Sequence, residues 1–213
     1  MNSLAIFGAS SKYAGDLVES AKRLGKSVTL INNLQQPIDS PTYTTIVIEE
    51  PKIPVIVAPA SYRERATAVS NAMAMGASSF ANLIDPTSVI ASTANFGCGN
   101  YVNSLASIAS FVQIQCHTNI NRNSAIGHHC LIESFVSTGP GVILCGSVEV
   151  GLGCFIGAGT TILPNVKIGR NVVIGAGSVV TKDLPSDVIA YGNPAQVMKP
   201  NQPWEGLVAC PAH

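Results

Sequence analysis

The stretch VGLGCFIGAGTTILPNVKIGRNVVIGAGSVV, residues 150–180, repeats an aliphatic side chain at every sixth position. The same frame runs without an insertion from Ile84 to Val180, and fifteen of its seventeen slots hold Ile, Val or Leu. Phe96 fills one of the other two slots, and Thr138 is the exception to the apolar rule. A period of six fits neither a helix nor a single strand, whose side chains repeat about every 3.6 and 2 residues.

This period predicts a solenoid in which six residues form one short strand and one turn, and three such units form a triangular coil. The aliphatic side chains would then stack in columns about 4.8 Å apart. A small or β-branched residue four positions after each aliphatic, such as Cys130 or Val148, is expected to fill a corner. Glycine often follows the aliphatic directly, as at Gly127 and Gly157, and we expect it to permit the positive φ of a turn.

The composition excludes several classes of function. The chain has 213 residues, zero formal net charge and only 11% charged residues, so it offers no basic patch for nucleic-acid phosphates. No apolar stretch reaches the roughly 18 residues of a membrane span, and the N-terminus does not resemble a signal peptide. The six cysteines form no CxxC pair, so we expect mostly buried thiols in a reducing cytoplasm.

The region before the repeat predicts a small α/β domain with a parallel sheet. An apolar strand at residues 4–7 leads into a helical pattern that begins at Ala14, and a second strand follows at residues 28–31. Further strands are expected at residues 46–48 and 55–57, and a helix over residues 63–75. We therefore divide the chain into an N-terminal domain (1–81), a solenoid domain (82–184) and a C-terminal tail (185–213).

The turn after the first strand is a candidate binding site. Backbone N–H groups at the start of a helix bind phosphate well, and Ser10, Ser11 and Lys12 add hydroxyl groups and a positive charge. The turn lacks the GxGxxG pattern of dinucleotide sites, and the second strand ends in Asn32 and Asn33 rather than in an acidic residue. Two interpretations stay open: a site for one nucleotide or nucleotide-linked group, and a capped turn without a ligand.

His128 is the candidate general base. It follows Ile126 and Gly127 at a predicted corner, from which its side chain can project outward. Gly146 lies eighteen residues further, one coil length, so it should stack on His128 and leave an open slot beside the imidazole. A neutral imidazole suits proton abstraction near neutral pH. The alternative is a surface histidine on a turn.

The chain resembles the left-handed β-helix acyltransferases in its last repeats. More narrowly, its layout is similar to the sugar O- and N-acetyltransferases, which include the sialic acid O-acetyltransferase family and the UDP-4-amino-sugar N-acetyltransferases. The resemblance covers nearly the whole chain and rests on residues 173–185 and 191–195, IFGASS at 6–11, Asn32-Asn33, and residues 84–86, 120–121 and 126–128. It implies a Rossmann-like N-terminal sheet followed by a left-handed parallel β-helix of hexapeptide repeats.

The resemblance also implies a cytoplasmic homotrimer that transfers acetyl from acetyl-CoA bound between neighbouring solenoids. His128 matches the family base, but His129 stands where the family has an acidic residue, and Ser137 where it has a second histidine. Glu133 or a carboxylate of a neighbouring chain could orient His128 instead. The family's acetyl-CoA positions fall on Ser137, Gly146, Ala158 and Ala176.

The acceptor implied by the resemblance is a sugar amine or hydroxyl, free or nucleotide-linked. Its binding residues would be Gly8, Ser10, Ser11, Lys12, Asn32, Asn33 and Asn121. Asn121 has an alternative interpretation as a turn residue in a stack of asparagines.

Two other classes of function remain open at this point. A catalytically weak or non-catalytic trimer would explain the changes at His129 and Ser137. A metal-dependent hydratase of the same fold is the other, as in the solenoid carbonic anhydrases. Zinc would need three protein ligands and an open position, and no third histidine stands in register with His117 and His128. We therefore expect no metal.

Overall fold

The computed structural model describes residues 3–31 and 53–204. At the N-terminus, three parallel strands lie in the order β2-β1-β3, and two helices complete an α/β domain. The predicted strand at residues 46–48 lies outside the described residues. The elements are β1 (Ser3–Phe7), α1 (Ala14–Arg23), β2 (Ser27–Ile31), β3 (Val55–Val57) and α2 (Tyr62–Ala74).

A parallel β-solenoid follows, built from two-residue strands on three faces. Face one comprises β4 (Leu83–Ile84), β7 (Tyr101–Val102), β10 (Asn119–Ile120), β13 (Ser137–Thr138), β16 (Phe155–Ile156) and β19 (Val173–Ile174). Face two comprises β5 (Val89–Ile90), β8 (Ser107–Ile108), β11 (Ala125–Ile126), β14 (Ile143–Leu144), β17 (Thr161–Ile162) and β20 (Val179–Val180). Face three comprises β6 (Asn95–Phe96), β9 (Gln113–Ile114), β12 (Leu131–Ile132), β15 (Glu149–Val150) and β18 (Lys167–Ile168).

The register between coils is the predicted one. Ile126 pairs with Ile108 on one side and with Leu144 on the other, each eighteen residues away. The aliphatic of each unit ends its strand and, from Val102 onward, is buried in one continuous core. Thr138 points into the same core, where its hydroxyl accepts a hydrogen bond from the backbone N–H of Asn121 at 2.8 Å. The single polar slot is therefore satisfied rather than strained.

The expected role of the glycines after each aliphatic was wrong. Positive φ occurs three positions after the aliphatic, where residues as large as Leu105, Phe111 and His117 adopt φ of 58°, 60° and 57°. Gly127 and Gly157 do not have positive φ. They are needed because an added Cβ would lie 2.7 Å from the carbonyl carbon of Cys145 and 2.4 Å from the backbone nitrogen of Ala176, in the next coil. Glycine here permits close stacking of backbones.

The segment after the repeat folds back over the solenoid. Strand β21 (Val188–Gly192) joins face one beside β19, and β22 (Ala195–Pro200) returns antiparallel to it. Trp204 then packs edge-on against Tyr62 of α2 at 5.2 Å and against Phe135 at 5.9 Å. Gly153 makes room for it, since an added Cβ would lie 2.1 Å from the indole ring. The tail thus ties the N-terminal domain to the solenoid.

The buried Arg65 of α2 makes the central contact between the two parts. Its Nε donates to the carbonyl oxygen of His117 at 2.7 Å, and its Nη2 donates to the hydroxyl of Ser137 at 2.8 Å. Further bonds go to the carbonyl oxygens of Pro59, Ala60, Phe135 and Val136. Burial lowers the pKa of Arg65 to about 10, so the guanidinium stays charged at neutral pH.

A second contact joins α1 to the first coil. The buried Asp85 accepts hydrogen bonds from the Ser20 hydroxyl at 2.6 Å and from the Arg23 guanidinium. Burial acts to raise the pKa of Asp85, but bonds from Ser20, Thr87 and Arg23 outweigh it and lower the pKa to about 2. This carboxylate fixes the end of α1 on face one.

No helix within residues 3–31 and 53–204 combines the length and apolar character that crossing a membrane requires.

His117 lies under the N-terminal domain at the corner between face three and face one. Its ring stacks on Phe135 at 5.2 Å and meets Phe80 edge-on at 4.8 Å. Neither ring nitrogen has a hydrogen-bond partner. Burial, and then the charge of Arg65, lower the pKa of His117 to about 4. The side chain acts as a neutral aromatic packing group.

The His117→Phe variant should lose less stability in acid than the wild type. Because the folded-state pKa of His117 is about 4 against an ordinary 6.5, the unfolded chain takes up the proton first. The contribution of neutral His117 to the free energy of unfolding is therefore complete above the ordinary pKa. It falls as pH drops toward 4, by about 3 kcal/mol at most. Phe111 and Phe135 already occupy this turn position with φ of 60° and 61°, so the backbone accepts the change.

Denaturant titrations at neutral pH and near pH 4 give the loss of unfolding free energy for each protein. The difference between the two losses reports on His117, because the contributions of the other titrating groups are common to both proteins and cancel. Equal losses in the two proteins would contradict the assignment of the acid sensitivity to His117.

Candidate active site

His128 projects into solvent at the corner between face two and face three. It follows β11, and its chain turns at once, with the N–H of Ser147 bonded to the His128 carbonyl oxygen at 2.8 Å. Both His128 and the following His129 are exposed. The core-facing Ile126 fixes the strand, so the corner presents the imidazole outward as the sequence predicts.

Gly146 lies directly beside the imidazole of His128, one coil along. A Cβ added to Gly146 would lie 2.6 Å from both Cε1 and Nε2 of that ring. Any larger residue would therefore push the ring away. The absence of a side chain at Gly146 lets the ring lie there, with Nε2 against the backbone of the next coil, so the ring itself fills the slot that the sequence predicts to be open.

His129 is the immediate partner of His128. The two Nδ1 atoms lie 3.0 Å apart, and the rings meet nearly at right angles. His129 adopts φ of 59°, its N–H donates to the carbonyl oxygen of Ser110 at 3.0 Å, and its ring lies 5.0 Å from that of Phe111. The two histidines form a hydrogen-bonded pair, which we call the histidine pair.

Glu133 does not orient His128 within the chain. Its carboxylate accepts a hydrogen bond from the backbone N–H of Leu152 at 2.8 Å, at the corner that follows face three. Among the residues that the structure describes, no carboxylate is paired with either ring of the histidine pair.

The predicted acetyl-CoA residues do not all lie near His128 in a single chain. Gly146 does. Ala158 and Ala176 are exposed one above the other at the opposite edge of face two, at the corner that follows face one. Ser137 is buried in β13, where its hydroxyl donates to the carbonyl oxygen of Ala60 at 2.9 Å and accepts from Arg65. The Ser137 side chain therefore belongs to the contact between the two domains.

Asn121 lies at the same corner as Ala158 and Ala176, and it takes part in an asparagine stack. Its side-chain oxygen accepts from the N–H of Arg122 at 2.8 Å and from the amide of Asn103, one coil earlier, at 3.4 Å. Within one chain, Asn121 therefore acts as a turn residue of the asparagine stack. A role toward an acceptor remains a prediction.

The N-terminal turn faces this corner. Gly8 has φ of 81°, and its carbonyl oxygen accepts from the N–H of Ser11 at 2.9 Å. The hydroxyl of Ser10 is buried and has no hydrogen-bond partner, whereas Lys12 is exposed. An unpaired buried hydroxyl is uncommon and fits a donor or acceptor held ready for a ligand. Asn32 and Asn33 lie outside the described residues.

Tyr13 connects the N-terminal turn to the solenoid, and the sequence prediction missed it. Its hydroxyl donates to the side-chain oxygen of Asn119 at 3.1 Å and accepts from the amide of Asn103 at 3.2 Å. Burial is the main reason that the pKa of Tyr13 is raised, so it stays a neutral phenol. The eighteen-residue spacing of Asn103 and Asn121 was the available signal for this polar corner.

Among the residues that the structure describes, the histidines do not form a metal centre. His117 is buried beneath the N-terminal domain, and His128 is exposed at another corner. Within residues 3–31 and 53–204, no group of three or more His, Cys, Asp or Glu side chains is placed to hold a metal ion.

Comparisons with known proteins agree with the hexapeptide repeat and with the two-part fold. A family profile described as bacterial transferase hexapeptide (six repeats) matches residues 147–182. A histidine-substituted perosamine N-acetyltransferase from Caulobacter crescentus, in complex with CoA and GDP-perosamine, has a TM-score of 0.82 and 25% identity over 93% of this chain and 97% of its own. No curated protein gave a significant match to the chain.

Two further structures share the two-part fold. The acetyltransferase domain of PglB from Neisseria gonorrhoeae has a TM-score of 0.85 and 25% identity over 93% of this chain and 100% of its own. A second structure of that domain contains acetyl coenzyme A. WeeI from Acinetobacter baumannii, at 24% identity and a TM-score of 0.80, covers 92% of this chain and 99% of its own and supports the fold. Together these matches confirm the predicted resemblance to sugar acetyltransferases and support an acyltransferase.

Proposed function

We propose that the protein transfers acetyl from acetyl-CoA to an amine or hydroxyl of a sugar. The observation that carries this proposal is the exposed imidazole of His128, which lies against Gly146 of the next coil, on a fold whose relatives bind acetyl coenzyme A, CoA and GDP-perosamine. Since GDP-perosamine is a nucleotide-linked sugar, we take a nucleotide-linked amino sugar as the first acceptor to test. A sialic acid hydroxyl is the second.

In this proposal His128 is the general base. Its Nε2 takes the proton of the acceptor as the acceptor attacks the thioester carbonyl. The N–H of Gly146 would stabilise the oxyanion, because it lies in the backbone segment beside Nε2. The chemistry is direct transfer and needs no metal.

We infer that three chains share three active sites. Five large apolar side chains among the described residues are exposed on face two or its edges: Val89, Leu105, Phe111, Ile143 and Leu163. A closed threefold ring is a heterologous assembly, in which one edge of a face meets the other edge of the neighbouring chain. Packing on face two would bring the corner with His128 of one chain to the corner with Ala158 and Ala176 of the next.

In this arrangement, the predicted acetyl-CoA residues at different corners of one chain would line the same groove. Acetyl-CoA would lie in the groove between two solenoids, along Ala158 and Ala176 of one chain and Gly146 of the other. Ser137 would contribute neither its hydroxyl, which is already bonded to Arg65 and Ala60, nor its N–H, which donates to the carbonyl oxygen of Cys154.

The acceptor is proposed to bind at the N-terminal turn. In the turn of Gly8, Ser10, Ser11 and Lys12, the unpaired hydroxyl of Ser10 and the positive charge of Lys12 suit a phosphate, whereas the N–H groups of Gly8 and Ser11 are bonded within the chain. Asn121 lies at the solenoid corner that Tyr13 joins to this turn, through Asn103. Asn32 and Asn33 are proposed to contact the nucleoside.

We also propose a cytoplasmic location. No disulfide joins the five cysteines in the described part of the chain, which fits a reducing compartment.

The His128→Ala variant should lower kcat by roughly a hundredfold to ten-thousandfold, the usual contribution of a general base. Melting temperature and acetyl-CoA affinity should change little, because the ring is exposed and contributes little to the core. Steady-state kinetics with acetyl-CoA and a panel of nucleotide-linked amino sugars and sialic acids measures the effect. Wild-type protein that binds acetyl-CoA yet acetylates no acceptor would favour the non-catalytic alternative, and unchanged turnover in the variant would show that positioning alone drives the reaction.

The Ser11→Trp variant should abolish acceptor binding and leave acetyl-CoA binding unchanged. Ser11 lies in the turn beside the unpaired Ser10 hydroxyl, and its own side chain is only partly buried. Ser70→Trp on the exposed side of α2 is the matched control and should change neither affinity. Calorimetric titration with each ligand measures both. Equal loss of the two affinities in Ser11→Trp would show that the turn has a structural role only.

The Ile143→Lys variant should dissociate the trimer. Ile143 is 44% exposed at the centre of face two, and threefold symmetry would bring three added charges together. The control is Leu131→Lys, an outward aliphatic position on face three. Light scattering at micromolar concentration should give three chains for the wild type and the control, and one for Ile143→Lys. A monomeric wild type would remove the shared groove.

A further inference from the structure

The histidine pair can hold only one proton between its two facing nitrogens. The Nδ1 atoms of His128 and His129 lie 3.0 Å apart, so one must donate a hydrogen bond and the other must accept it. A neutral imidazole carries its proton on one ring nitrogen only. The direction of this bond therefore determines which nitrogen of each ring keeps a lone pair.

The two directions have different chemical consequences. If His128 donates from Nδ1, its Nε2 keeps the lone pair, and Nε2 is one of the ring atoms that lie against Gly146. If His129 donates instead, His128 carries its proton on Nε2 and cannot act as a base there. Only the first direction makes His128 competent.

The first direction is also the one that the reaction would strengthen. After His128 takes a proton on Nε2, both of its nitrogens carry hydrogen, and Nδ1–H must donate. A neutral His129 can accept that bond through its own Nδ1, and a bond from a charged donor is stronger than one between neutral groups. His129 thus stabilises the imidazolium form without bearing charge itself.

We propose that His129 is a positioning residue that accepts the Nδ1–H bond of His128, fixes its tautomer and stabilises its protonated form. The inference rests on the proposed role of His128 as general base. It gives a neutral imidazole the task that a carboxylate performs in the catalytic triad of serine proteases.

The turn holds His129 in place for this task. Its φ of 59° is the left-handed conformation that Phe111, Ser147 and Asn165 adopt at the same position of their coils, and its N–H is fixed by the carbonyl oxygen of Ser110 at 3.0 Å. The ring of Phe111 lies 5.0 Å from it at an angle of 33°. The hydrogen-bond partner of the ring among the described residues is His128, and no acidic or basic side chain there is paired with it.

Three substitutions of His129 distinguish the loss of the hydrogen-bond acceptor from an effect on folding. His129→Ala removes the acceptor and should lower kcat roughly tenfold to a hundredfold, the range found when groups that orient metal-bound imidazoles are removed. His129→Asn retains a side-chain oxygen near the Nδ1 position and tolerates positive φ, so it should keep kcat within a few-fold of wild type. His129→Asp supplies a charged acceptor and should equal or exceed the wild type. KM for acetyl-CoA should stay constant throughout.

A double-mutant comparison tests whether His129 acts through His128. In the His128→Ala background, the further change His129→Ala should have no effect on the residual rate. Nitrogen NMR of imidazole-labelled protein supplies a direct readout. It should show His128 protonated on Nδ1 in the wild type and in His129→Asn, and a mixture of tautomers in His129→Ala.

The outcomes distinguish this inference from the proposed function. Unchanged turnover in His128→Ala would overturn the base assignment itself. A large loss in His128→Ala with wild-type rates in His129→Ala would overturn only the positioning role. Equal losses in His129→Ala and His129→Asn, or an unchanged His128 tautomer in His129→Ala, would show that His129 acts through folding and not through the hydrogen bond.

Discussion

The hydrogen bonds between successive coils are the constraint on which the site depends. They hold each residue directly against the one eighteen positions away, as the pairing of Ile126 with Ile108 and Leu144 shows. The side chain in one coil therefore determines how much room the matching residue of the next coil has. The ring of His128 can lie against the next coil because residue 146 is glycine, and the backbones approach closely because Gly127 has no Cβ to meet Cys145. Stacking geometry, rather than loop flexibility, shapes the surface near His128.

The central contact that holds the N-terminal domain on this scaffold is a buried positive charge without a carboxylate. Arg65 satisfies its N–H groups with carbonyl oxygens and the hydroxyl of Ser137, so the contact gains hydrogen bonds from a charged donor and needs no buried acid. Trp204 and Tyr62 close the same interface from the tail. The consequence for function is positional: the N-terminal turn and the polar corner around Asn103 and Asn119 are fixed relative to each other through Tyr13.

The sequence predicts the solenoid almost completely because the constraint is periodic. One frame predicted every two-residue strand from Leu83–Ile84 to Val179–Val180, and the coil length predicted that Gly146 would face His128. The reason for the glycines that follow the aliphatic residues could not be found in this way, because a clash with the backbone of the next coil depends on three-dimensional distances. The contact that Ser137 makes could not be predicted for a similar reason. Its partner Arg65 is seventy-two residues away in the chain, and no local pattern marks such a contact.

His117 and His129 show how one position of the repeat can have opposite chemistry. Both lie three residues after an inward aliphatic and adopt nearly the same left-handed backbone, with φ of 57° and 59°. The corner of His117 is covered by the N-terminal domain, so its ring is desolvated between Phe80 and Phe135 and its pKa falls to about 4. The corner of His129 is uncovered, and its ring meets another imidazole instead. The repeat supplies the geometry, and what packs against each corner decides whether a histidine there is buried among aromatic rings or exposed beside another imidazole.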